Sequence, residues 1–361
     1  MSETGSPFDG GNQPPTVVAV ITTFQGQSYI ERAIRSLRHQ NYRNMRRIVI
    51  DDGSTDQTHD VATKVASALG QVDVLKNEGN LGFSASLNRV LGLCGDTDFL
   101  FVHPDDIELI EQDYVERLLA HFQDDRVALV TGQATQFDRL PLMQRIYARL
   151  LNLDYLQEGV SELTYSLLKG DLIRAAAVRS SGGFGYALNP KFGLEDQSLA
   201  YRLRRAGYRI LKDSAAHYRL SFGRAESLLA FLSREYDAGK LLGYAVISGL
   251  IWARLPSTPE NYVRWWQRST EVLSGTSLLG SALAAFLAPP WLGVGAMLGI
   301  LTARTWWYVR MGRDFPGEAK LRFIVVGILT DLFTAPGFHY GLIKGLRARW
   351  GLKKARIGSE G

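Results

Sequence analysis

Residues 98–109 read DFLFVHPDDIEL, and the fold turns on how that stretch is taken. Phe99 to Val102 have the character of a buried strand and run straight into a Pro-Asp-Asp turn. In an open α/β sheet, ligands bind beyond the carboxyl ends of the strands. Asp105 and Asp106 are therefore expected at the mouth of a site. Two adjacent carboxylates repel each other unless something positive pairs with them, and a hard divalent cation holding a diphosphate is one remedy. The plainer reading is a turn whose aspartates cap a helix starting near Glu111.

Upstream, strands and helices alternate. TVVAVITTF (16–24) is a continuous apolar run suited to a strand buried on both faces, and Ser28 with Glu31 reads as a capping box before Ile30, Ala33, Ile34 and Leu37 at helical spacing. Ile48 to Ile50 form a second strand, DDGSTD (51–56) its turn, and Ser54 with Gln57 are expected to open a helix reaching about Leu69. Val72 to Leu75, the loop NEGNLG (77–82) and a helix from Phe83 to Leu93 lead into the HPDD strand. Repeated β-α units imply an α/β fold with a mostly parallel sheet, right-handed crossovers and helices on both faces.

The strand ends then share one edge, which gathers Thr22, Thr23 and Phe24, then Asp51 and Asp52, then Asn77 to Gly82, then Asp105 and Asp106. A hydroxyl, an aromatic face and a carboxylate can hold a nucleobase and ribose. No G-x-G-x-x-G follows the first strand and no G-x-x-x-x-G-K-[ST] occurs, so dinucleotide cofactors and P-loop chemistry are not expected. A diphosphate bound here needs a metal in place of the missing glycine-rich cradle.

Composition sets the outer limits. The chain has 361 residues, 46% hydrophobic and 21% charged, enough to bury a core in one or two units. A single cysteine, Cys94, excludes an internal disulfide and a cysteine-based zinc site. Residues 1–15 are polar, rich in Gly and Pro, and read as a flexible tail without an apolar signal core. The net charge of +5 suits nucleic acid, an anionic membrane or a phosphorylated substrate equally.

The stretch from Val17 through DDGSTDQT, then NEGNLGFSASLN, then the HPDD turn, resembles the nucleotide-sugar half of a family 2 glycosyltransferase with a GT-A fold. The resemblance runs from about 16 to 220. It implies that Thr22, Phe24 and Asp52 contact the nucleoside, that the NEGNLG loop contributes Asn80 and Gly82, that Asp105 meets the ribose or diphosphate, and that Asp106 holds Mn2+ or Mg2+. Many members carry an aspartate where this chain has His103, whose imidazole can still ligate a metal or donate a hydrogen bond. Further on, the resemblance takes in a Gly-Gly-Phe loop (Gly182, Gly183, Phe184), Glu195 and Asp196 opening a helix, Arg202 one turn on, and a Gly207-Tyr208 stop. Acidic residues are favoured at a helix N-terminus without any catalytic role. By resemblance, though, Asp196 is the base that takes the acceptor hydroxyl's proton, with Glu195 orienting it or the sugar. His217 is a candidate for the metal or diphosphate, against the commoner role of a satisfied core histidine.

One displacement suffices for such a transfer, so inversion at the anomeric carbon is expected. The donor implied is a nucleoside-diphosphate sugar, with UDP the family-weighted base, and the acceptor a hydroxyl of a lipid-linked or polysaccharide glycan. Nucleic acid is not an expected partner. The alternative from another class is a catalytically inactive member acting as a nucleotide- or membrane-binding scaffold.

After residue 220 the composition changes. Leu140 to Leu156 and Leu228 to Leu255 read as helices, the first packing through Leu142, Ile146, Leu150 and Leu153, the second amphipathic on a bilayer. Leu273 to Ala303 is almost free of charge but is divided by Pro289-Pro290. Phe323 to Ile343 is divided by Asp331 and Pro336-Gly337. Basic residues flank both stretches, so two re-entrant hairpins or interfacial helix pairs are expected, with all flanks and the catalytic domain on the cytoplasmic face of the membrane; the alternative is a soluble helical subdomain whose apolar stripes pack on the first domain. The division expected is a tail at 1–15, a GT-A catalytic domain at 16–220 and a membrane-associated helical region at 221–361.

Overall fold

The computed structural model describes residues 13–150, 158–185, 195–221, 227–248, 259–287 and 290–357. In chain order the elements are β1 (Val17–Thr23), α1 (Ile30–Arg38), β2 (Met45–Asp51), α2 (Thr58–Leu69), β3 (Asp73–Lys76), α3 (Phe83–Leu93), β4 (Phe99–Pro104), β5 (Ile107–Leu109), α4 (Tyr114–Leu119) and β6 (Val127–Thr135). Next come α5 (Leu142–Leu150), β7 (Val160–Glu162), β8 (Asp171–Arg174), α6 (Ala175–Ser180), α7 (Glu195–Arg205), β9 (Arg209–Leu220) and four long helices, α8 (Leu228–Ser248), α9 (Pro259–Leu287), α10 (Pro290–Met311) and α11 (Gly317–Ile357). They form two compact units. One takes the described residues through Gln136 and again from 158 to 221, and the other takes 137–150 and everything described from 227 on.

The first unit is built on one sheet of order β3-β2-β1-β4-β8-β6-β9-β5, with β7 also on β9. The apolar runs at 17–23 and 99–102 become neighbouring parallel strands, and β2 and β3 extend the parallel half, as repeated β-α units require. Beyond β4 the sheet is mixed. β8 runs antiparallel to both β4 and β6, and β9 is parallel to β6 but antiparallel to β5 and β7. Val20, Ile50, Leu100, Val102 and Ile173 of the sheet pack with Leu87, Val90, Leu199 and Leu203 of the helices, all close to fully buried. Each such side chain contributes about 1.5–3 kcal/mol by burial.

Two expected capping boxes do not form. The N-cap position of α1 is Tyr29 with no side-chain cap, and its first amides instead reach the Gly26 carbonyl. Ser54 does not cap α2, because its hydroxyl accepts from Gln25 N and its own amide donates to Asp51 Oδ1. Asp56 takes the Thr58 amide at the start of α2 in its place. Ser54 is thus held by the ends of β1 and β2 instead of by α2.

Tyr114 fixes the centre of the mixed half. Its hydroxyl is fully buried, donates to Gly170 O at 2.8 Å and accepts from Gly132 N at 3.0 Å, so one side chain of α4 satisfies the backbone of both β6 and the turn entering β8.

The second unit is helical. Tyr147 of α5 stacks on Phe231 of α8. Ile146 and Leu150 are buried as expected, while Leu153, Leu255, Pro289 and most of the 1–15 tail lie outside the described residues. The expected break at 331–337 is absent: α11 runs unbroken through both Asp331 and Pro336. Asp331 does not interrupt it because Arg304 reaches both of its oxygens at 2.7 Å and the Tyr308 hydroxyl donates to one of them at 2.8 Å. Around Pro336 the helix is braced by α8, where Gly239 and Gly243 face Gly337 and Gly341. A Cβ added at any of the four would lie 2.0–2.2 Å from a backbone carbonyl of the opposite helix. Such mutual small-xxx-small contact lets two helices approach at backbone distance. Among the described residues, Gly317–Leu346 is long and apolar enough to cross a membrane.

Tyr114→Phe should strand two buried backbone groups. The expected loss is about 2–3 kcal/mol, read as a lower urea midpoint with an unchanged slope.

Candidate active site

The carboxyl ends of β1, β2 and β4 meet as expected, and each acidic group there has its own means of neutralisation. At β1, Thr22 and Thr23 are buried, and Thr23 Oγ1 donates to Asp105 Oδ2 at 2.5 Å. Gly26 lies against that pair so closely that an added Cβ would stand 2.0 Å from Asp105 Oδ2 and 2.4 Å from Thr23 Oγ1. Gln25, in the left-handed region at φ 53°, carries the chain across. Its amide oxygen accepts from Thr55 N and Asp56 N, joining the two loops.

At β2, Asp52 is largely engaged by the chain itself. Oδ1 accepts from Asn77 Nδ2, Leu81 N and Ser86 Oγ, and Oδ2 from Gly82 N at 2.8 Å. Four donors hold the 77–82 loop and the start of α3 in place, and one lone pair of Oδ2 remains for a ligand. Gly82 is the N-cap of α3, and Asn80 is exposed on the same loop. Asp51 is fully buried, with Oδ2 3.7 Å from both His59 Nδ1 and Lys76 Nζ and without a hydrogen bond.

At β4 the sequence reading divides. Asp105 and Asp106 stand at the edge, but His103 turns away into the core. Its ring lies 3.4 Å from Ser36 Oγ through Nε2 and 3.0 Å from the Pro104 carbonyl through Nδ1, and burial lowers its pKa to about 4. It is a core imidazole, neutral at neutral pH. Asp106 Oδ2 pairs with Lys169 Nζ, a partner the sequence reading passed over, while Oδ1 is buried with no hydrogen-bond partner. That orphaned oxygen suits a cation, and Mg2+ and Mn2+ are commonly held by one or two carboxylates, substrate phosphates and water. Among the described residues no cluster of three or more His, Cys, Asp or Glu is preassembled for a metal.

The structure does not bring His217 to Asp106. The β5–β9 register places Ser221 opposite Asp106 and His217 opposite Ile110. Four residues of strand separate the two positions, about 13 Å at about 3.3 Å each. Glu111 accepts from His217 N at 2.8 Å and meets its Nδ1 at 2.6 Å. A cavity of about 360 Å³ beside them is lined by Arg32, Arg35, His39, Glu108 and Glu111 and includes none of the other expected site residues.

The segment from the Gly-Gly-Phe loop to α7 is organised by two clamps. Asn88 of α3 holds Phe184 by both backbone groups, Nδ2 to O at 2.7 Å and N to Oδ1 at 2.8 Å. Arg202 of α7 donates to the carbonyls of Ser181, Gly183 and Gly185. The Gly-Gly-Phe loop is thereby fastened to α7, whose first residues are Glu195 and Asp196. Burial, then the adjacent Asp196 charge, raises the Glu195 carboxyl above its ordinary value. The Asp196 charge also reaches Asp171 at the start of β8. That carboxyl is fully buried and lifted to about 6, chiefly by burial, with the Ser166 and Thr131 hydroxyls acting against the rise. Asp171 was legible only as part of an ordinary Lys-Gly-Asp turn. Nothing local marks a residue that becomes buried through strand pairing.

The mixed sheet with helices on both faces and acidic groups at its carboxyl edge is similar in fold to GT-A glycosyltransferases. Residues 18–156 match the glycosyl transferase family 2 model. An uncharacterized glycosyltransferase of Haemophilus influenzae is 30% identical over 109 residues, 30% of this chain and 33% of the relative. Succinoglycan biosynthesis protein ExoA of Rhizobium meliloti is 29% identical over 203 residues, 53% of this chain and 58% of the relative. Neither match spans two thirds of the relative's length. Among solved structures, mannosyltransferase PcManGT from Pyrobaculum calidifontis, in complex with GDP-Man and Mn2+, is similar with a TM-score of 0.56 at 14% identity, over 94% of this chain and 88% of that one. That likeness shows the fold.

Asp171 gives a pH signature. Its folded value near 6 lies above the unfolded value near 3.9, so the unfolded chain ionises first, and this group weakens folding as pH rises from about 4 to about 6, and fully above that. Asp171→Asn should therefore raise the melting temperature at pH 8, by the equivalent of up to about 3 kcal/mol, with the gain vanishing near pH 4. A gain that stays constant across that range would rule out the titration.

Proposed function

We propose that the chain is an inverting glycosyltransferase that moves a sugar from a nucleoside-diphosphate donor to a hydroxyl of a glycan acceptor. The observation that carries the proposal is the acidic turn after β4, where Asp105 accepts from Thr23 and Asp106 keeps a buried oxygen without a hydrogen bond; Asp196 opens α7 in the same unit. In this reading Thr22, Phe24 and Asp52, with Asn80 and Gly82, receive the nucleoside, and Asp105 the ribose or diphosphate. Asp106 would hold Mn2+ or Mg2+, which when bound neutralises charge developing on the leaving diphosphate. The base is not named by the fold, and UDP is our first choice.

Asp196 accepts the proton of the attacking hydroxyl, a step worth about 10²–10⁴ in rate. Its position at the N-terminus of an eleven-residue helix favours a carboxylate. Glu195 complements it, because two interacting acids lose their protons in separate steps, and the pair keeps one base while the other carboxyl still holds its proton to orient a sugar oxygen. The product is inverted because attack comes once, from the face opposite the departing diphosphate.

Asp196→Asn should lower transfer at least a hundredfold, measured as release of nucleoside diphosphate, while donor binding by calorimetry stays within about twofold. An active Asp196→Asn protein would remove the base assignment.

We also propose that the helical unit works on the cytoplasmic face of a membrane with a lipid-linked or polysaccharide glycan as acceptor. The support is a surface with Trp291, Leu283, Leu298, Trp306, Leu321 and Val325 exposed, and basic residues on the segments that flank it. The continuous α11 favours an embedded helix over the second of the two hairpins expected from the sequence. The chain should sediment with membranes and resist release by 1 M salt or carbonate. A chain that stays soluble without detergent would refute this.

A further inference from the structure

Asp106 is already paired with a cation supplied by the chain. Lys169 Nζ donates to Asp106 Oδ2, with both side chains about three-quarters buried at 23% and 27% exposure. The backbone carrying this lysine has little freedom. Gly170 lies in the left-handed region at φ 70°, its N–H donates to Val102 O at 3.0 Å, its carbonyl accepts from Tyr114, and an added Cβ would stand 2.6 Å from the Tyr114 hydroxyl. Asp171 is then paired in register with Val102 on one side and Thr131 on the other. Lys169 is thus held one residue before this anchored turn, beside the end of the strand that leads to Asp106.

The pairing is incomplete. An ammonium is a point charge that satisfies one oxygen here, and Asp106 Oδ1 stays buried without a partner. A divalent ion engaging the same carboxylate must meet the ammonium at close range, and two cations sharing one carboxylate repel each other. A diphosphate changes that balance, since it offers the displaced ammonium oxygens of its own.

Resting on the metal-assisted reading above, we propose that Lys169 is a built-in competitor for the metal: it occupies Asp106 in the free protein and makes divalent-ion binding conditional on a nucleoside diphosphate. The result is positive coupling between metal and nucleotide, and by linkage each must tighten the other by the same factor. Lys169 acts here as a positioning residue, through Asp106.

The test is Mn2+ binding followed by the electron paramagnetic resonance signal of free Mn2+, with and without saturating UDP, and again with GDP, on the full chain. The wild-type protein should bind Mn2+ weakly alone and at least tenfold more tightly with the nucleotide that binds. Lys169→Met should bind Mn2+ about tenfold more tightly without nucleotide and show reduced coupling, and Lys169→Arg should behave as wild type. Adding Asp106→Asn to Lys169→Met should abolish the gain. Melting curves confirm that each variant folds. A folded Lys169→Met protein whose nucleotide-free Mn2+ affinity is unchanged or weaker overturns this inference and leaves the metal reading standing. If no protein binds Mn2+ with either nucleotide, the metal reading fails and takes the inference with it.

Discussion

Repulsion among carboxylates at one sheet edge constrains everything built around it. Asp51, Asp52, Asp105, Asp106 and Asp171 all sit at strand ends in partly or fully buried surroundings, where an unpaired charge costs several kcal/mol. The chain meets that cost in different ways. Asp52 takes two amides and two side-chain donors, an arrangement that cannot be undone without dismantling the 77–82 loop. Asp105 takes a hydroxyl and Asp106 an ammonium on a flexible stem. Asp171 has no well-formed hydrogen bond on either oxygen and keeps its proton to higher pH instead. The bonds grow more exchangeable from Asp52 toward Asp106. That gradient lets a rigid pocket adjoin a centre that can change partners.

The same ordering explains what the sequence could and could not reveal. Where a signal is local and repeated, reading succeeds. The apolar runs of β1 and β4 and the helix Phe83–Leu93 fall where periodicity puts them, and Asp105 and Asp106 follow from a strand meeting a Pro-Asp-Asp turn. Where a side chain's role depends on which strand lies next to it, reading fails. His103 comes directly after that strand run, but which face it presents depends on α1 packing against β4, with Ser36 beside it. His217 comes after the helix bearing Asp196 at a plausible remove in sequence, yet the β5–β9 register carries it to Glu111. Lys169 could not be singled out at all, since a lysine before a Gly-Asp turn is ordinary until Tyr114 fixes that turn from 56 residues away. The Ser54 capping signal failed in the same way, its hydroxyl taken by Gln25 from the loop after β1, whereas at α1 the Gly26 carbonyl receives the first amides.

The helical unit inverts the usual reading of a charge in an apolar segment. A lone aspartate suggests an interruption because an ionised carboxylate cannot be left in hydrocarbon or in a core. Asp331 instead takes a bidentate guanidinium and a phenol, and Tyr308 in turn accepts from Arg304. Every strong donor facing that carboxylate comes from α10, so the charge joins two helices rather than ending one. Removing either partner alone would leave the other buried and uncompensated.

Polar as well as apolar side chains are buried in this unit. Glu235, Glu271, Arg304, Thr330, Asp331 and Thr334 lie inside it, and large apolar side chains of α9, α10 and α11 lie outside. Opposed glycines draw α8 and α11 together at backbone distance, a mode of contact that does not depend on squeezing water from between apolar side chains. Water disfavours such a pattern, because the exposed apolar area gains nothing and the buried charges are costly to desolvate. Hydrocarbon reverses both terms: the apolar exterior is then solvated by its own kind, and polar pairs turned inward become the adhesive between helices. The membrane setting proposed above would account together for the packing glycines, the buried ion pair and the exposed apolar side chains.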